Sequence, residues 1–151
     1  MALVAVLGAT PAPPASPASP AAAPGAGASF QQLAHDFLFE GFKYSPAAAT
    51  QIGVHTYDAQ IDDMSAASIA QQIRWAKDYL AKFQAIDPKS LTPDEALDRT
   101  LLINTIYDNL LSAETLQTWK HNPDAYTGLA SGSVYLLISR TFAPANVRMK
   151  N

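Results

Sequence analysis

The amino-acid sequence predicts an all-α fold, an antiparallel helical bundle of about five helices. Two observations carry that prediction. Apolar residues recur at three- and four-residue spacing through residues 30–41 and 69–86, the period of a helix with one buried face. The pairs Ser45-Pro46, Thr92-Pro93 and Asn122-Pro123 read as helix starts. In each, the first side chain can cap free N–H groups, and proline suits the first helical position.

Composition narrows the function classes. The chain has 151 residues, enough for one domain of ordinary size. Hydrophobic residues make up 48% and charged residues 15%, although alanine in the first thirty positions inflates the apolar share. The net charge is −3 with no basic stripe, so the electrostatic footprint of a nucleic-acid binder is missing. Without cysteine, the chain can form neither disulfides nor thiolate metal sites, and it has no cysteine nucleophile.

Residues 1–28 are set apart from the fold. An apolar run (residues 1–9) is followed by Pro/Ala/Ser/Gly-rich sequence. Nine residues are too few to span a bilayer, which takes about 20. They match the apolar core of a signal peptide, and Ala26-Gly27-Ala28 has the small-x-small form of a cleavage site. No Lys or Arg precedes the run, as it would in a full signal peptide whose start lay upstream of Met1. The expectation is an exported protein, periplasmic or secreted; the alternative is a disordered leader on a cytoplasmic one.

The expected helical domain covers residues 29–151. Ser29-Phe30-Gln31-Gln32 has capping-box form. Phe30, Leu33, Phe37 and Gly41 share a face of a first helix running to about Lys43, with Asp36, Glu40 and Lys43 opposite. A short second helix spans residues 45–52, and Gly53 closes it, since glycine adopts positive φ cheaply. Residues 57–64 form an acidic loop. Its likeness to an EF-hand fails at Asp63, where glycine is needed, and at Ile69, where a bidentate glutamate is needed. Ser65 starts the cleanest helix, running to about Ile86, with Ile69, Ala76, Tyr79 and Phe83 on its apolar stripe and an Asp78–Lys82 pair outside. Thr92-Pro93-Asp94-Glu95 opens a fourth helix expected to reach about Trp119, with Asn104, Asp108 and Ser112 in a polar column. Residues 125–139 are uncharged, and periodicity alone fits a buried helix or a buried strand. The helical context favours a helix, stopped by Phe142-Ala143-Pro144. Since the most apolar run comes last, the region from Ala125 to Ile138 is expected to need a missing C-terminal part or a partner helix to cover it.

No catalytic constellation emerges from spacing. His35, His55 and His121 share no helix face, and neither a zinc motif nor a phosphate loop nor a nucleophile elbow is present. Glu40, Asp58, Asp98 and Asp108 have no spacing that argues for a working pair.

A resemblance goes further. Pro46, Ala49, Thr50, Gly53, His55 and Asp58 fit a "Pro-x-x-Ala-Thr-x-x-Gly-x-His-x-x-Asp" stretch, followed by Asp98, Trp119-Lys120-His121-Asn122-Pro123, Tyr126, Arg140-Thr141-Phe142-Ala143-Pro144 and Arg148. In these positions the chain resembles the N-terminal region of the bacterial domain-of-unknown-function 885 family. The resemblance implies a longer, helical, commonly exported protein whose C-terminal part carries a gluzincin-like zinc motif, and hence a hydrolase of peptide-like substrates. This chain stops before that motif, so catalytic and metal residues are expected to be none, and zinc only in a full-length member. The resemblance also implies that His55, Tyr57 and Asp58 line a cleft; the plainer reading of His55 is a loop residue bonded to a helix end. Two functions follow: an inactive N-terminal segment of a zinc-metallopeptidase-like protein, or a non-catalytic helical protein-binding module.

Overall fold

Aromatic side chains from two helices build most of the core. The computed structural model describes residues 26–150. Its helices are α1 (Ala26–Gly41), α2 (Pro46–Gln51), α3 (Ala66–Gln84), α4 (Pro93–Leu110), α5 (Thr118–His121), α6 (Pro123–Ser139) and α7 (Ala145–Arg148). Single 3-10 turns occupy His55–Tyr57 and Pro88–Ser90, and a π turn over Leu111–Thr115 prolongs α4. No strand occurs among the described residues, so the fold is all-α as the sequence predicts. Most of the expected leader, residues 1–25, lies outside the described residues.

Phe30 and Phe37 of α1, Ala76, Tyr79 and Phe83 of α3, Ile106 of α4 and the linker residue Leu91 are buried together. Phe37 is the hub: it stacks on Trp75 with centroids 4.9 Å apart and meets the edge of Phe83 at 5.7 Å. Such stacked and edge-to-face pairs add to area burial because the ring face is negative and the edge positive. Burial pushes the Tyr79 phenol up to about 12, with the Glu40 carboxylate adding to the effect. The cluster therefore stays uncharged at ordinary pH.

Capping explains where the helices begin and end. Ser65 accepts from the Ser68 N–H at 3.2 Å at the start of α3. Thr92 and Glu95 form the full reciprocal capping box of α4. Asn122 accepts from the Asp124 N–H to open α6, which resolves residues 123–139 as helix. At the other ends, arginines from later in the chain satisfy the last carbonyls. Arg99 donates to the Phe83 and Gln84 carbonyls of α3, and Arg148 to those of Leu137 and Ile138 of α6. Cations at helix C-termini also suit the helix dipole.

Four expectations need correction. Helix α1 already covers Ala26, Gly27 and Ala28, so Ser29 lies within it instead of capping it. The Ser45 side chain makes no capping bond; Asp62, from the following loop, accepts from the Ala47 N–H at 3.1 Å and takes that role. Lys82 sits over the Tyr79 ring at 4.4 Å, and no ion pair joins it to Asp78. The fourth helix does not reach Trp119: it ends in the π turn, and Gln117 adopts φ 48°, breaking the helix before α5.

Helix α6 stands apart from the aromatic core. It packs on α2 and on its chain neighbours α5 and α7, and none of its residues is buried. Val134, Tyr135 and Ile138 are 56%, 67% and 56% exposed, a large apolar strip for a helix with one charged residue, Asp124.

Candidate functional site

Helix α2 and the turn after it bring the His-x-x-Asp residues together. Pro46 starts α2, and Gly53 (φ 92°) reverses the chain at its end. Nothing lies within 4 Å of a Cβ built on Gly53, so the requirement there is backbone conformation alone. The reversal brings Asp58 back against Thr50. The Thr50 hydroxyl donates to Asp58 Oδ1 at 2.7 Å, and His55 Nδ1 lies 3.0 Å from Asp58 Oδ2. An ionised carboxylate only accepts, so Nδ1 carries the proton, and in the neutral ring Nε2 is left as an acceptor. Across the imidazole, Phe142 stacks at 3.8 Å, tying this turn to the segment after α6.

The three sequence-predicted residues therefore divide. His55 and Asp58 meet, with the Asp58 side chain 5% and the His55 side chain 36% exposed. Tyr57 is half-buried and holds the turn through its carbonyl, which accepts from the Gln60 N–H at 2.8 Å. Asp58 and Thr50 line a cavity of about 230 Å³ between α2, the acidic loop and Ser133, Val134, Leu136 and Leu137 of α6. Elsewhere in the acidic loop, burial holds the Asp62 carboxyl above the usual carboxylate range, against the lowering pull of the Ala47 N–H. The arrangement can orient an imidazole; it supplies no nucleophile aligned with a base.

A second, larger feature includes aromatics of α3 that sequence reasoning weighed as ligand-lining and set aside as core. A groove of about 410 Å³ lies between α1, α3 and the C-terminal half of α4, walled by Phe37, Tyr44, Trp75 and Trp119. The π turn shapes one rim. There the left-handed Gln117 turns the chain back so that Trp119 reaches the groove, and its indole N–H donates to the Ala113 carbonyl at 3.0 Å. The signal was present only as aromatic residues at distant positions, each of which reads as core at helical spacing.

No group of three or more His, Asp or Glu side chains that could hold a metal ion exists among the described residues. Glu40 accepts from the Trp75 indole while Asp58 takes Thr50 and His55, so these carboxylates serve separate partners.

Comparison with known proteins gives a consistent placement. No curated protein matches the chain. Among solved structures, it is similar to one described as "a putative lipoprotein of unknown function from Shewanella oneidensis", with 24% sequence identity and a TM-score of 0.71. The match covers 80% of this chain and 22% of that one, and at this identity it speaks for the fold alone. The family model described as "Bacterial protein of unknown function (DUF885)" matches residues 46–151, which hold α2, the Thr50–Asp58–His55 unit, α3, α4 and α6. The chain belongs to the domain-of-unknown-function 885 family.

Proposed function

We propose that this chain is the N-terminal helical layer of a larger, exported bacterial protein similar to zinc metallopeptidases, a layer that supports a hydrolytic site without holding one. The observation that carries this reading is α6: a helix with one charged residue, no buried residue, and Val134, Tyr135 and Ile138 open to solvent. A surface of that kind is stable in water when something covers it. The 22% coverage of the similar solved structure supports a longer parent, and the word "lipoprotein" in its description supports export. In this reading His55, Tyr57 and Asp58 stand at the edge of the layer and line the cleft, with Asp58 fixing the orientation of the His55 ring. In this reading the zinc ligands lie in the rest of the parent protein, since no group of three or more His, Asp or Glu side chains that could hold a metal ion exists among the described residues.

Fractionation of the source cells, an immunoblot against this chain and intact-mass spectrometry of the captured product test the reading. A product several times longer than 151 residues, found outside the cytoplasm and retaining zinc through dialysis, is expected. A mature product that ends at Asn151 overturns it and leaves a helical binding module, whose partner would then be sought on the α6 face.

A further inference from the structure

We infer that the groove between α1, α3 and α4 is a binding site for an uncharged ligand that carries an amide group on an aromatic or aliphatic body. Three observations independent of the helical-layer reading lead there. First, none of the residues lining this groove of about 410 Å³ is Asp, Glu, Lys, Arg or His. The nearby charges are engaged at its rim: Glu40 accepts from the Trp75 indole N–H, and the Lys43 ammonium lies 4.8 Å from the Tyr44 ring centroid. A charged ligand entering the groove would lose hydration and find no counter-ion on the walls. The volume falls in the range of pockets that hold small molecules, and apolar walls with a few polar groups are the usual composition of such sites.

Second, the few polar groups are of a matching kind. Gln72 on α3 and Asn109 on α4 line the groove from helices that pack on each other. Neither carboxamide has a hydrogen-bond partner among the described residues; Asn109 is exposed and Gln72 half-buried, so both are open to a ligand, as is the Ser45 hydroxyl, while Thr105 is bonded to the Leu101 carbonyl and Ser112 and Thr118 to each other. Each carboxamide offers a donor and an acceptor side by side, the complement of an amide group on a ligand. Third, the backbone is distorted where it borders the groove. The π turn supplies Ser112 and Ala113, and the left-handed Gln117 costs about 1 kcal/mol or more relative to ordinary helix while it delivers Trp119 to the wall. Distortions of this sort gather at functional sites in proteins generally.

Both tryptophans of the chain, Trp75 and Trp119, line this groove, so intrinsic fluorescence reports on it directly. The test titrates the 151-residue chain with N-acetylphenylalaninamide, which is uncharged, and with two charged relatives, N-acetylphenylalanine and phenylalaninamide. A saturable fluorescence change is expected for the neutral probe at roughly millimolar or lower concentration, with the charged probes binding at least tenfold more weakly. NMR should show the Gln72 and Asn109 side-chain amides shifting with the same midpoint. Gln72→Ala and Asn109→Ala should each weaken the neutral probe by about three- to tenfold while melting like the parent, since neither carboxamide is bonded within the protein. The inference is overturned by the absence of saturable change, by equal affinity for the charged probes, or by variants that bind as tightly as the parent. Self-association of the chain that displaces the neutral probe would also overturn it, marking the groove as a contact between copies.

Discussion

Replacing Phe83 by alanine should remove more stability than any change on α6. Phe83 is 0% exposed and packs edge-on against Phe37 at 5.7 Å and Phe30 at 6.2 Å, so the truncated site is walled by two rings of α1. Rings held by their own helix cannot collapse into the gap, so both lost transfer energy and a residual cavity contribute. Phe→Ala changes at such sites cost about 3–5 kcal/mol, and full burial puts this one near 4. For a domain of this size that is a fall in Tm of about 12–16 °C, at roughly 3–4 °C per kcal/mol. Urea and thermal melts followed by circular dichroism measure it, and the urea m-value should stay unchanged because the same surface is exposed on unfolding. Ile138→Ala, at a residue 56% exposed on α6, is the control and should fall within about 0.5 kcal/mol of the parent. A Phe83→Ala loss below about 1 kcal/mol, or an Ile138→Ala loss as large as that expected for Phe83→Ala, would refute a core centred on the aromatic rings of α1 and α3.

Other expectations follow from single groups. Gly53→Ala places a side chain at φ 92° with no steric contact near it, so a loss of about 1–2 kcal/mol in denaturant melts would come from backbone strain alone. Thr92→Ala removes one half of the capping box and should cost about 1 kcal/mol by the same assay, whereas Thr92→Ser should cost little. The hydrogen bonds from the Thr92 N–H and hydroxyl hold the Glu95 carboxyl below its usual range. Its contribution is therefore complete above about pH 4, the unfolded value, and is lost as pH falls through the lower folded value; Thr92→Ala should flatten that part of the stability profile. Asp62 has the opposite sign, because burial raises its folded value above the unfolded one. Its ionisation weakens the fold as pH rises through that window. At neutral pH Asp62→Asn, which keeps an acceptor for the Ala47 N–H, should match or exceed the parent, and Asp62→Ala should fall below both.

Much of the architecture was legible because it rests on local chemistry. The Thr92–Glu95 box, the Ser65 and Asn122 caps, Pro46 and the positive φ of Gly53 are all set within a few residues of chain. What escaped was set over longer distances. Asp62 caps α2 from fifteen residues downstream, a partner that Ser45 concealed. The break after α4 falls in Leu110–Gln117, which contains neither glycine nor proline; it is held by Trp119 and Thr118 folding back on Ala113 and Ser112. Of the candidate residues, the resemblance grouped His55, Tyr57 and Asp58 at a cleft, but neither the His55–Asp58 contact nor the stacking of Phe142 on His55 was read from the sequence. The groove was illegible for the same reason: Phe37, Trp75 and Trp119 come from three elements, and each looks like core in its own segment.

Hydrogen exchange of α6 is the most direct test of the claim that this helix is built to be covered. Amides of residues 123–139 would be followed by mass spectrometry in the 151-residue chain and in the product isolated from the source cells. The helical-layer account predicts fast exchange there in the isolated chain, faster than in α3, and at least tenfold slower exchange in the native product, where the face around Val134, Tyr135 and Ile138 is buried. Equal exchange of α6 in both would contradict it.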